Sequence, residues 1–110
     1  MSNARVFKVR MVRRDERRKG VFLDGVDFWF EVSLPTNQVL QVPVFISGTN
    51  RATGVGRPLS EKDFEAIAHI RLQETIDEGR LPVNQLSPDQ YDALFDISNV
   101  RLIDLASRLR

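Results

Sequence analysis

The sequence predicts an α+β domain: an antiparallel β-meander of three to four strands over about residues 5–47, followed by helices packed on the sheet. Two observations predict it. Apolar and polar residues alternate through the first half, the period of a half-buried strand. In the second half, apolar residues recur at helical spacing behind capping residues. Strands grouped ahead of helices point to α+β rather than to a parallel sheet with interleaved helices. The 110 residues suit one domain, 1–110, with residues 1–4 set aside as a disordered or vector-derived start.

Phe7, Val9 and Met11 alternate with Lys8 and Arg10, which predicts the first strand. The basic run from Arg13 to Gly20 breaks that alternation and reads as a turn at a hairpin tip. Val21 to Leu23 resumes the strand. Asp24-Gly25 signals a two-residue hairpin, because a type I′ turn needs positive φ at both central residues. It would set Leu23 opposite Val26 and Val21 opposite Phe28. Val26, Phe28, Phe30, Val32 and Leu34 then alternate with Asp27, Trp29, Glu31 and Ser33. Pro35-Thr36-Asn37 is turn chemistry before a further strand from about Val39 to Ile46. The expected register pairs Leu34 with Leu40, Val32 with Val42, Phe30 with Val44 and Phe28 with Ile46. Pro43 donates no ladder hydrogen bond, so this strand is expected at an edge or at a bulge.

Gly48 to Pro58 reads as a loop. Ser60 is an N-cap with Asp63 three residues on, opening a helix from Glu61 to about Glu78, with Gly79 past its end. Phe64, Ile67, Ala68, Leu72 and Ile76 form its apolar stripe. Ser87-Pro88-Asp89-Gln90 caps a short helix through Phe95. A last helix from about Asn99 is expected to bury Leu102, Ile103, Leu105, Ala106 and Leu109, leaving Arg101, Asp104 and Arg108 outside.

Charge is divided unevenly. Residues 1–20 hold eight cations against two acids, and the remainder holds eight against thirteen. Five of the cations crowd into Arg13, Arg14, Arg17, Arg18 and Lys19. A clustered field of one sign speaks of partners, not of chemistry. With Arg51 and Arg57 as accessories, this basic patch could contact phosphates. No aromatic interleaves with it, and the net charge of only +1 argues against a dedicated polyanion binder. The loop 48–57 lacks the spacing and the Lys-Ser/Thr of a phosphate-binding P-loop.

Trp29 and Phe45 are the second candidate. In the expected register they face each other on the polar side of the sheet, where an exposed pair would be a binding hot spot. His69 is the only histidine, beside Glu65 and Gln73 on the polar side of its helix. No second histidine or cysteine completes a tetrahedral metal site, and no histidine is placed for a Ser-His-Asp triad. Arg71 falls on the apolar stripe, where it either buries its stem or pairs with an acid. Neither a cofactor, a metal nor catalytic residues are expected. The chain has no cysteine and so forms no disulfide. It has no apolar run of the roughly 20 residues that span a membrane, and no apolar h-region at its start.

The expected function is a small non-catalytic protein-interaction module in the cytoplasm, binding a protein partner or forming a homo-oligomer. The alternative is a nucleic-acid-binding domain that uses the basic turn 13–19.

Overall fold

Three strands, β1 (Lys8–Lys19), β2 (Phe22–Ser33) and β3 (Val39–Ser47), pair antiparallel in the order β1-β2-β3. Helices α1 (Glu61–Asp77), α2 (Pro88–Leu94) and α3 (Asn99–Ser107) follow. This is the expected α+β arrangement. The computed structural model describes residues 7–48 and 59–109.

Alternation decides which face is buried. Val26, Phe28, Phe30 and Val32 of β2 and Leu40, Val42, Val44 and Ile46 of β3 are at most 2% exposed. Phe64, Ile67, Ala68 and Leu72 of α1 join that core, with Tyr91, Phe95, Leu102 and Leu105 from the later segments. α1 begins at the capping box predicted from Ser60 and Asp63, and α2 at the one predicted from Ser87 and Gln90. Gly79, at φ 71°, ends α1: its N–H donates to Ile76 O and that of Arg80 to Thr75 O. The left-handed conformation there is the reason for glycine. α3 departs from the expected stripe at Ile103, which is 41% exposed, while Leu102, Leu105 and Ala106 are buried.

The basic run is not a turn. It is the second half of β1, and the hairpin closes instead at Gly20-Val21, where Lys19 pairs with Phe22 and Gly20 has φ 60°. The break in alternation at Arg13 is a bulge. Met11 pairs with Phe30 and Arg13 with Trp29, leaving Val12 as the extra residue. Asp24-Gly25, expected as a turn, lies within β2. Arg17 pairs with Gly25 and Arg18 with Leu23, so Asp24 is the extra residue of a second irregularity. Gly25 is required by packing. A Cβ there would lie 2.5 Å from both Ile46 O and the Phe45 ring.

The β2–β3 register also differs from the expected one, by two residues. Val32 pairs with Leu40, Phe30 with Val42, Phe28 with Val44 and Val26 with Ile46. A two-residue shift keeps every side chain on its face, so hydrophobic pattern alone does not choose between the registers. The turn does. Asn37 N–H donates to Leu34 O, and Leu34 N–H to Gln38 O, across a loop of Pro35, Thr36 and Asn37. Pro35 presets φ at the second turn position, and Asn37 accepts φ 71°.

β3 is an edge strand, as Pro43 predicts. Its outer side is not left open at Gln41: the Gln85 side-chain amide donates to Gln41 O at 2.6 Å and accepts from Gln41 N–H at 2.8 Å. The segment between α1 and α2 thus blunts one edge of the sheet.

α1 and α3 are tied by Glu74. Its carboxylate accepts from Arg101 and, at 3.0 Å, from Arg108, and Arg71 lies 3.7 Å away. Asp104 binds the same two outer arginines. The hydrogen bond from Arg101 is the main reason that the Glu74 carboxyl is held below the ordinary glutamate value, against the opposing effect of burial. A carboxylate whose folded pKa is depressed contributes stability above its unfolded pKa and loses it as pH falls through the folded value. The Glu74→Gln variant should therefore show a flatter loss of stability on acidification than the parent. Urea midpoints from about pH 7 down to about pH 3 measure this; parallel acid limbs would assign the loss to other groups.

Candidate interaction surface

The β1 bulge turns Arg13, Asp15 and Arg17 onto the sheet face opposite the core, beside Asp27, Trp29 and Glu31 of β2 and Pro43, Phe45 and Ser47 of β3. Two arginines of the basic run, Arg13 and Arg17, thereby join the two aromatics on one surface, whereas Arg14, opposite Phe28, lies on the other face.

Trp29 and Phe45 are not paired. Trp29 sits opposite Pro43, and Phe45 opposite Asp27. Neither is an open ring. The Arg13 guanidinium stacks 4.4 Å from the Trp29 centroid, and that of Arg17 stacks 4.0 Å from the Phe45 centroid. Both aromatics are half-buried. The Trp29 indole N–H is enclosed, with no acceptor among the described residues. Phe45 in turn lies on Gly25, so glycine, ring and guanidinium form three layers.

Arg17 is the centre of this surface. Its Nε and one terminal nitrogen donate to the two oxygens of Asp27 at 2.7 and 2.6 Å. Asp92, at the far end of the fold in sequence, accepts two more bonds at 2.8 and 2.9 Å. Asp27 is 7% exposed, so its charge is carried into the sheet only because Arg17 covers it. The hydrogen bonds from Arg17 to Asp92, then to Asp27, raise the Arg17 pKa further above its ordinary value, with burial opposing.

The other arginines of the run are also matched, as is Arg10 ahead of it. Arg10 binds Glu31, Arg13 binds Asp15, Arg14 reaches Glu61 at the start of α1, and Arg18 binds Glu16. The arginines of the basic run are thus an interleaved ion-pair array, in which, among the described residues, Lys19 takes no part. Arg51 and Arg57 lie outside the described residues.

At the end of the hairpin the surface changes character. β3 stops pairing at Gly25–Ser47, whereas β1 and β2 continue to Lys19–Phe22. The projecting tip carries Val21 at 84%, Phe22 at 75% and Leu23 at 39% exposure. Three consecutive apolar residues at a turn fit neither strand face, and that was the available sequence signal. Beside the tip, Phe45, Ser47, Asp92, Phe95, Asp96 and Ile97 line a cavity of about 170 Å³.

A second concavity lies on the core side of β1. Val9, Met11 and Phe30 form its floor, and Lys62, Glu65 and His69 its rim. The His69 ring stacks on Phe30 at 5.8 Å. Among the described residues no group of three His, Cys, Asp or Glu could hold a metal ion. Arg71 has a structural place. It donates to Thr75 Oγ1 and to the Leu94 carbonyl at the end of α2, with its guanidinium 5.9 Å from the Phe95 ring. Among the described residues no helix is long and apolar enough to cross a membrane. Compared with known protein families, curated proteins and solved structures, the chain gives no significant match.

Proposed function

We propose that this chain is a small, non-catalytic protein-interaction module that docks through the β1–β2 hairpin tip and the adjoining face around Trp29 and Phe45. The observation that carries the reading is the exposed Val21-Phe22-Leu23 apex, held at the end of a paired hairpin. A large apolar side chain presented on a rigid element is the usual anchor of a protein interface. Arginines lying flat on aromatic rings add contact area that keeps its charge. A cytoplasmic setting is part of the proposal, since the fold uses no disulfide.

The ion-pair array speaks against the nucleic-acid alternative. At each of these arginines a phosphate would compete with a carboxylate already bound: Asp15, Glu16, Asp27, Glu31, Glu61 or Asp92. Affinity capture from nuclease-treated lysate, with the parent chain and the Phe22→Ser variant as baits, tests the proposal. Capture of protein by the parent and its loss in the variant is the expected result. Capture that disappears with nuclease, or that is equal for both baits, overturns it. Binding of short RNA or DNA at about 50 mM salt, abolished in an Arg13, Arg14 and Arg18→Ser variant, would favour the alternative instead. Arg17 is left intact in that variant because Asp27 depends on it.

A further inference from the structure

We infer that the partner of the hairpin tip is a second copy of this chain, whose Phe45–Phe95 cavity receives Phe22. The inference rests on the reading of the chain as an interaction module and names its partner. Three observations carry it. The first is size. The cavity of about 170 Å³ is lined by Phe45, Phe95 and Ile97 together with Ser47, Asp92 and Asp96. An apolar cavity of about 150 Å³ holds a benzene molecule, so this one has room for one phenyl ring. The second is charge. The cavity rim carries Asp92 and Asp96, and the tip carries Lys19, opposite Phe22 in the hairpin, while Arg18 is already held by Glu16. A phenyl ring with Lys19 beside it matches an acid-rimmed cavity of that volume in size and in sign. Asp92 is already held by Arg17, which leaves Asp96 as the rim acid that Lys19 of the partner copy would face.

The third is placement. Ser47 of the cavity lies opposite Gly25, and Phe22 is three residues further along the same strand, about 10 Å at the rise of an extended chain. Tip and cavity therefore sit at the same end of the sheet but are separated along it, so the tip does not fill its own cavity. Two copies related by a two-fold axis can exchange tips, each Phe22 entering the other's cavity. Such an isologous contact closes at the dimer.

Sedimentation velocity over a wide concentration range, with each variant checked for folding by circular dichroism, tests this. The parent should pass from monomer to dimer as concentration rises. Phe22→Ser should weaken dimerisation by at least about 100-fold, as loss of two central anchors requires. Asp96→Lys and Lys19→Glu should each weaken it roughly tenfold, and the double charge exchange should restore it. A parent that is monomeric throughout overturns the inference. So does a Phe22→Ser chain that dimerises like the parent, or a double exchange no better than either single change. If a monomeric parent still captures a protein through Phe22, the interaction-module reading stands and only the second copy is refuted.

Discussion

Phe30→Ala should lower the free energy of unfolding by about 3–5 kcal/mol. Phe30 is 1% exposed, pairs with Met11 on one side and Val42 on the other, and lies under the His69 ring. Truncation removes most of a buried aromatic and leaves a void that its neighbours fill only in part. The groove floored by Val9, Met11 and Phe30 would open into that void and admit water. The lost transfer energy then dominates, and the cavity contribution shrinks, which places the expected value toward the lower end of the range. Equilibrium denaturant melts of the two chains measure it. A loss below about 1 kcal/mol would mean that Phe30 does not face the core.

The burial of Phe30 was legible because alternation is a local signal that needs no knowledge of partners. The same holds for the helix starts, where Ser60 with Asp63 and Ser87 with Gln90 act within four residues. What was not legible required contacts far apart in sequence or a choice among locally equivalent turns. Asp24-Gly25 has hairpin chemistry, yet the chain turns at Gly20-Val21, because Gly25 is needed where the Phe45 ring crosses the strand. The register slip of two residues preserves every face and so leaves no trace in the hydrophobic pattern.

The basic run shows the same division more sharply. Counted along the chain, Arg13 to Lys19 reads as a free cationic patch. In three dimensions Arg14 meets Glu61, 47 residues away, and Arg17 meets Asp92, 75 residues away. One unpaired-looking residue at Val12 rotates the strand and decides which arginines join the aromatic face. Of the candidate surface, the residue types were visible in the sequence, but the stacking of Arg13 on Trp29 and Arg17 on Phe45 was not.

Asp27→Ala should be the most damaging change on the outer face, at about 2–3 kcal/mol. Breaking a buried ion pair by removing one partner typically costs about 3–5 kcal/mol, because the remaining charge is left without compensation. The expectation here is lower for two reasons. The Arg17 side chain keeps 28% exposure, and it retains both hydrogen bonds to Asp92. Asp92→Ala should cost less again, because its side chain is 29% exposed against 10% for Asp27, so less desolvation has been compensated there. The two carboxylates share one guanidinium, so their effects should not add. With Asp92 gone, Arg17 has only Asp27 to satisfy it, and the double variant should lose more than the sum of the singles. A double-mutant cycle in urea reads this coupling directly. Equal costs for the two single changes, or strict additivity, would mean that Arg17 does not bridge the hairpin to α2, and that the layer of Gly25, Phe45 and Arg17 is held by packing alone.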